Sequence, residues 1–334
     1  MKAVGYQKSY PVDHPQALVD IDLPEPVATG RDLLVEVRAV SVNPVDTKVR
    51  RGMLSQEGEW RVLGWDAAGV VRATGPDVSL FKPGDHVWYA GSIVRPGSNS
   101  ELHLVDERIV GKMPKTLDFP AAAALPLTSL TAWEMLFDRL EIKPGASGKA
   151  ILIIGAAGGV GSIMVQLARQ LTDLTIIGTA SREETKNWVK EMGAHHVIDH
   201  HASFAEQLGA LNIQPDYVVS LTHSDQHLKQ IVEVIKPQGK FGLIDDPDSL
   251  DVKLLKRKSL SLHWELMFTR ALFTTEDIAQ QHSILNIVSN MVDDGKLRTT
   301  ITESYGTINA ENLKRAHALI ESGKACGKIV LAGF

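Results

Sequence analysis

The sequence predicts an α/β protein in which a doubly wound parallel sheet is joined to a second, β-rich domain. Residues 149–244 alternate short buried strands with amphipathic helical patterns, whereas residues 1–115 hold short β runs broken by turn residues. The chain of 334 residues has room for two domains at roughly 150 residues each. Parallel strands need crossover connections and helices supply them, so the alternation points to a parallel sheet.

The β-rich part contains LLVEVRAVSV at 33–42, a second run at 69–73 and a third at 85–89 after the turn signal Lys82-Pro83-Gly84. Residues 119–140 (FPAAAALPLTSLTAWEMLFDRL) combine alanines with a 3.6-residue apolar period, which predicts a connecting helix broken at Pro126. Strands then follow at 150–154, 175–179, 196–199, 217–221 and 240–244, with helices at 160–171, 183–192 and 226–235. The last part reads as a long helix over 275–293, a strand over 299–305, a helix over 310–321 and a strand over 328–331. That mixed tail is expected to complete the first domain, giving 1–124 with 265–334 as one domain and 125–264 as the other.

Composition narrows the functional classes. Hydrophobic residues make up 44% and charged residues 22%, which supports a packed core and excludes disordered and fibrous classes. The net charge is −5 with no long basic block, so nucleic acid is excluded as the principal partner. No apolar run reaches the roughly 18–20 residues that span a bilayer, and MKAVGYQKSY lacks a secretory h-region, so no membrane association and a cytoplasmic location are expected. The single cysteine, Cys326, forbids an intrachain disulfide and any multi-cysteine metal cluster.

The most informative segment is KAILIIGAAGGVGSIMVQLARQL, residues 149–171, where a buried strand runs through a glycine-rich turn directly into a helix. Its residues Gly155, Ala156, Gly158, Gly159, Val160 and Gly161 are expected to bring backbone N–H groups to a pyrophosphate at the helix N-terminus. The spacing departs from G-x-G-x-x-G because Ala157 takes the place of the second glycine. An NAD site presents an acid at the end of the second strand, about twenty residues beyond the loop. Here that stretch reads GTASREETK, with Ser181, Arg182 and nearby Lys186, a set suited to a 2′-phosphate and so to NADPH.

Several further segments carry a resemblance over nearly the whole chain: SVNPVDTKVRRG (41–52), GWDAAGVV (64–71), FKPGDHV (81–87), ALPLTSLTAWE (124–134), GAAGGVG (155–161) and GKIVL (327–331). In that order they resemble the zinc-independent medium-chain dehydrogenase/reductases of the NADPH:quinone oxidoreductase, zeta-crystallin-like group. The resemblance implies a GroES-like catalytic domain completed by the C-terminal tail, an inserted Rossmann domain, an active site in the cleft between them, and a homodimer formed through a Rossmann edge strand within 259–268. Zinc-dependent relatives use a cysteine and a G-H-E histidine where this chain has the Asn43–Asp46 segment and Gly64-Trp65-Asp66, so no metal is expected. His196 and His200, four apart on a strand, are roughly 13 Å apart and do not share an ion. By family position, His200 is implied as a contact near the 2′-phosphate.

The resemblance further makes Asn43 and Thr131 the first candidates for contacts near the nicotinamide and Asp46 and Thr128 the second, while a Rossmann strand order would put Phe241 and Gly242, at the end of the fifth strand, near it too. An amide and a hydroxyl suit such a place because they orient a carboxamide or an acceptor oxygen without fixed charge. For Asn43 the competing use is a turn residue before Pro44. Trp65, Trp133 and Trp264 are expected in the core or around an apolar pocket. The expected activity is zinc-independent hydride transfer from NADPH to quinones or related enones. Two alternatives stand beside it: a 2-alkenal or enoyl reductase, for which the Asn43 segment offers no tyrosine donor, and a non-catalytic NADPH-binding redox sensor or structural protein.

Overall fold

The computed structural model describes residues 1–52 and 58–334, and these divide into two compact units: Met1–Leu130 with Phe268–Phe334, and Thr131–Met267. The first unit opens with strands β1 (Lys2–Tyr6) and β2 (Val19–Asp22), paired antiparallel, followed by the long strand β3 (Asp32–Val42). Along β3 burial alternates at first and then becomes continuous over its last four residues. The chain turns at Asn43 into helix α1 (Pro44–Gly52), where Pro44 has no N–H to leave unpaired in the first turn. Here half of a capping box is present: the Asn43 N–H donates to Asp46 Oδ2 at 2.7 Å, while the Asp46 N–H donates to the Asn43 main-chain carbonyl at 3.0 Å, leaving the Asn43 side chain for other partners.

Strand β4 (Arg61–Val62) pairs with β1, while β5 (Ala67–Thr74), β6 (His86–Tyr89), β7 (Leu102–Asp106) and β8 (Val110–Lys112) build the larger sheet around β3. The expected connecting helix is in pieces. Helix α2 (Phe119–Ala123) is capped by the Asp118 carboxylate, which accepts the Ala121 N–H at 2.9 Å, and α3 (Pro126–Trp133) restarts at the proline that was expected to break it. Residues Glu134–Arg139 then form a π-helical turn that the apolar period does not announce.

The second unit alternates β9 (Ser147–Ile154), α4 (Gly159–Leu171), β10 (Asp173–Thr179), α5 (Glu183–Glu191), β11 (His196–Ile198), α6 (Phe204–Ala210), β12 (Tyr217–Ser220), α7 (Ser224–Val234), β13 (Lys240–Leu243) and β14 (Ser261–Trp264). Its six strands lie in the order β11-β10-β9-β12-β13-β14 and every neighbouring pair is parallel. This is the expected doubly wound sheet, and its order reverses between β9 and β12, the place where such sheets bind ligands at strand carboxyl ends. One core of this unit packs Leu152, Ile154, Ile177, Val218, Phe241 and Leu243 with Phe204, Leu228 and Ile231. Each such side chain contributes about 1.5–3 kcal/mol on burial.

The chain then returns to the first unit with α8 (Thr269–Phe273), α9 (Gln280–Asp293), β15 (Ile301–Ser304), α10 (Ala310–Glu321) and β16 (Lys328–Ala332). The helix expected over 275–293 begins only at Gln280: Thr274, at φ +46° in the left-handed region, ends α8, and residues 276–279 form turns before α9. Strand β16 lies between β15 and β3, antiparallel to β3 with Ile329 opposite Val42. The tail therefore completes the first unit's sheet and sets Lys328 beside the Val42–Asn43 corner.

Candidate functional site

In the first unit, three distant segments meet around Asn43. Its side-chain amide Nδ2 donates to Asp66 Oδ2 at 2.9 Å, and its Oδ1 accepts from Lys328 Nζ. Lys328 Nζ also donates to Asp66 Oδ2 at 3.0 Å and to the Val42 carbonyl at 3.1 Å. The other Asp66 oxygen accepts the Leu127 N–H at 2.8 Å, so this carboxylate also holds the first turn of α3, an N-terminus that favours negative charge. All four of Asn43, Asp46, Asp66 and Lys328 are buried.

The two acids differ in what surrounds them. Burial pushes the Asp46 carboxyl up to about 7; the Asn43 N–H and the Lys328 charge oppose that rise, and the Asp66 charge adds to it. Burial also raises Asp66, against the pull of Lys328 and of the Leu127 and Asn43 donors. Asp46 Oδ1 is buried and has no hydrogen-bond partner, whereas both oxygens of Asp66 are engaged. On α3, Thr128 and Thr131 are three residues apart and share a face; the Thr128 hydroxyl donates to the Leu125 carbonyl at 3.1 Å.

In the second unit, β9 ends in the glycine-rich turn. Gly155 takes φ +80°, a conformation that needs glycine, and its N–H donates to Thr179 Oγ1 at the end of β10 at 3.0 Å. A methyl group at Gly161 would lie 2.5 Å from both Ala156 Cα and the Gly155 carbonyl oxygen, so only glycine allows α4 to start so close to the strand end. Helix α4 begins at Gly159 with Gly158 as its cap and no capping side chain, which leaves its first N–H groups to an outside acceptor. The turn lies at the switch point: Gly155 is within reach of Thr222, just past β12.

Around this turn, Ser181 is half-buried and Arg182 is an exposed N-cap of α5 paired with Glu184 at 3.1 Å; Lys186 is half-buried one turn into α5. No acid precedes Glu183 after the end of β10. His200 is half-buried with its ring 4.3 Å from that of His201 and 6.4 Å from that of His227, and burial followed by the His201 charge lowers its pKa. Phe241 is fully buried in the core and Gly242 backs onto Met135, so the strand backbone is what these two positions offer. Trp65 is buried, with its indole N–H on the Ser92 carbonyl at 3.2 Å, but Trp264 is 50% exposed on the edge strand β14 and is not a core residue.

Sequence reasoning missed Lys328 and Asp66 as members of the site, and Ser220, Ser224 and Asp245, which link the carboxyl ends of β12 and β13 through Ser224 Oγ, 2.8 Å from Ser220 Oγ. A lysine inside an otherwise apolar terminal strand is the one local sign of the first. The donor set does not fit zinc: it contains neither cysteine nor histidine, and the Asp66 carboxylate is taken by an ammonium, an amide and a backbone N–H, next to the Trp65 indole. Among the described residues, no group of three or more His, Cys, Asp or Glu could hold a metal ion. No helix among them is long and apolar enough to cross a membrane.

Comparison with known proteins gives matches over the full chain. The alcohol dehydrogenase GroES-like domain profile matches residues 29–115 and the zinc-binding dehydrogenase profile residues 192–331. A zinc-type alcohol dehydrogenase-like protein of Staphylococcus aureus is 38% identical over 99% of each chain. The human quinone oxidoreductase is 27% identical over 93% of this chain and 92% of its own. A solved structure from Rhizobium etli, provisionally assigned as a zinc-dependent alcohol dehydrogenase, superposes with a TM-score of 0.97 at 60% identity, covering 100% of this chain and 98% of that one.

Proposed function

Because the chain belongs to the medium-chain dehydrogenase/reductase family, in its quinone oxidoreductase-like group, we propose that it is a zinc-independent reductase that uses NADPH to pass hydride to quinones or similar electrophilic carbonyl acceptors. The observation that carries this reading is the closed Asn43–Asp66–Lys328 network. Its negative charge is already answered by a cation of the chain's own. A quinone needs no Lewis acid, since reduction gives a stabilised phenolate-like product. NADPH, when bound, supplies the hydride.

The chain's residues bind, orient and handle the proton. Gly155, Ala156, Gly158, Gly159, Val160 and Gly161 would hold the pyrophosphate on the N-terminus of α4. Ser181, Arg182, Lys186 and His200 would take the 2′-phosphate, and the β13 backbone at Phe241 and Gly242 would flank the ring. Asn43, Thr128 and Thr131 would orient carboxamide and acceptor. Asp46, with a carboxyl raised to about 7, holds a proton that the reduced acceptor requires. That same property favours a second reading, reduction of activated alkenes, where the enolate must be protonated. The open edge of β14, with Trp264 and Leu266 half-exposed, supports a homodimer.

The test follows NADPH oxidation by its near-ultraviolet absorbance with a panel of ortho- and para-quinones, enals and aldehydes. Turnover of quinones above enals is expected. Preference for enals moves the assignment to the alkene reductase. Tight NADPH binding without turnover of any acceptor overturns the enzyme reading in favour of a non-catalytic NADPH-binding protein.

A further inference from the structure

Lys328 is 3% exposed, and its three ammonium donors meet three acceptors: the Val42 carbonyl, Asn43 Oδ1 and Asp66 Oδ2. With every donor engaged, the ammonium has none left for a substrate, so its effect must pass through a neighbour. That neighbour is Asn43. An asparagine amide has nearly the same shape in its two flips, and only its partners decide which is adopted. On one side of Asn43 stands a group that only donates, Lys328; on the other stands Asp66 Oδ2, which accepts Nδ2 at 2.9 Å. One flip satisfies both and the other opposes donor to donor and acceptor to acceptor. In the satisfied flip Lys328 uses one of the two Oδ1 lone pairs and leaves the second available.

The neighbouring bonds close the remaining freedom. The Asn43 N–H is held by Asp46, Asp66 is tied to the Leu127 N–H, and Lys328 is fixed by the pairing of β16 with β3. We propose that Lys328 is a positioning residue of the hydride-transfer site: together with Asp66 it locks the Asn43 amide in one flip, so that the open lone pair of Oδ1 meets a bound reactant in a fixed direction. This rests on the reading above that Asn43 contacts the nicotinamide or the acceptor. The ion pair is thereby assigned a role in orientation, and a well-packed apolar pair would not replace it.

Four variants of this chain separate orientation from stability. Lys328→Met removes the ammonium and leaves the Asp66 carboxylate buried without its counter-ion, so a lower Tm is expected. Lys328→Met with Asp66→Asn removes both charges, and the new amide oxygen keeps the Leu127 N–H. The double variant should recover a Tm near wild type and bind NADPH, by fluorescence titration, within about twofold, yet keep a kcat for para-benzoquinone about tenfold or more below wild type. Adding Asn43→Ala to the double variant should cost little more, because the amide nitrogen placed at position 66 donates and favours the opposite flip of Asn43, against only the 3.5 Å contacts of Asn43 Nδ2 to the Ser41 and Trp65 carbonyls, whereas Asn43→Ala in wild type should cost about as much as the double variant. A double variant with wild-type kcat, or a full additional loss from Asn43→Ala, overturns the positioning role. Wild-type protein that turns over no acceptor overturns the reading of function instead.

Discussion

Replacing Gly161 by alanine tests the dinucleotide turn where its geometry is tightest. The added methyl carbon would stand 2.5 Å from Ala156 Cα, 2.5 Å from the Gly155 oxygen and 2.6 Å from Ala156 C, all backbone atoms that cannot swing aside. Ordinary contact begins at 3.4 Å, so α4 and the end of β9 must part by about 0.9 Å. Overpacking of this kind costs about 1–3 kcal/mol. For the second unit of about 140 residues, with an unfolding entropy of about 2.1 cal/mol/K per residue, this lowers Tm by about 3–10 °C. The same movement withdraws N–H groups from a bound pyrophosphate. Each bond to a charged group is worth about 1.5–3 kcal/mol, so losing one raises the Kd for NADPH about 10- to 150-fold. Gly158→Ala is the control for packing alone, since Gly158 itself is placed at the pyrophosphate: its methyl would meet only the Gly155 oxygen at 3.5 Å, and the poorer cap costs about 1 kcal/mol or less, so its Tm should fall less than that of Gly161→Ala. Tm by circular dichroism and Kd by NADPH fluorescence read both variants. An equal fall in Tm in the two, or wild-type affinity in Gly161→Ala, refutes the close-approach argument.

Three further outcomes follow from the same geometry. Arg182→Ala should weaken NADPH about tenfold or more and leave NADH unchanged, since one charge-assisted phosphate contact is lost; equal use of both cofactors by wild type would count against the 2′-phosphate site. Asp46 titrates near about 7 when folded and near about 3.9 when unfolded, so the folded state binds the extra proton between those values. Its stabilisation is complete below pH of about 4 and is lost as pH rises through about 7; Asp46→Asn removes that slope, about 1.4 kcal/mol per pH unit across the window, and superimposable Tm–pH curves would contradict it. Turnover should survive prolonged exposure to a strong chelator, with zinc far below one atom per chain by elemental analysis; stoichiometric zinc whose removal abolishes turnover would contradict the closed ammonium–carboxylate network.

What the sequence revealed of this fold is what period and punctuation encode locally. The β-α alternation of 149–244 and the turn at 155–161 are short-range patterns, and the sheet and loop appear where those patterns lie. Thr274 and the π-helical turn at Glu134–Arg139 escaped because a left-handed residue and a widened helix leave the apolar period intact while changing the backbone. Trp264 escaped because an edge strand carries the same residues as a central one; only its missing neighbour leaves the side chain open. The site divided in the same way. The glycines announce themselves, but Lys328 lies 285 residues from Asn43 and 262 from Asp66, and the strand pairing that joins them is a property of the whole chain.

The two buried acids of the first unit differ in their partners, and the proposed division of roles rests on that difference. Asp66 receives an ammonium, an amide N–H and a backbone N–H, which favour its charged form and make it an anchor. Asp46 shares the burial but has backbone donors and no directly bound cation, one of its oxygens is without a partner, and its carboxyl is raised to about 7, so it keeps a proton up to near-neutral pH. The place of one lysine on β16 therefore sets which of the two acids has a cation bound directly to it, Asp66, and which has none, Asp46.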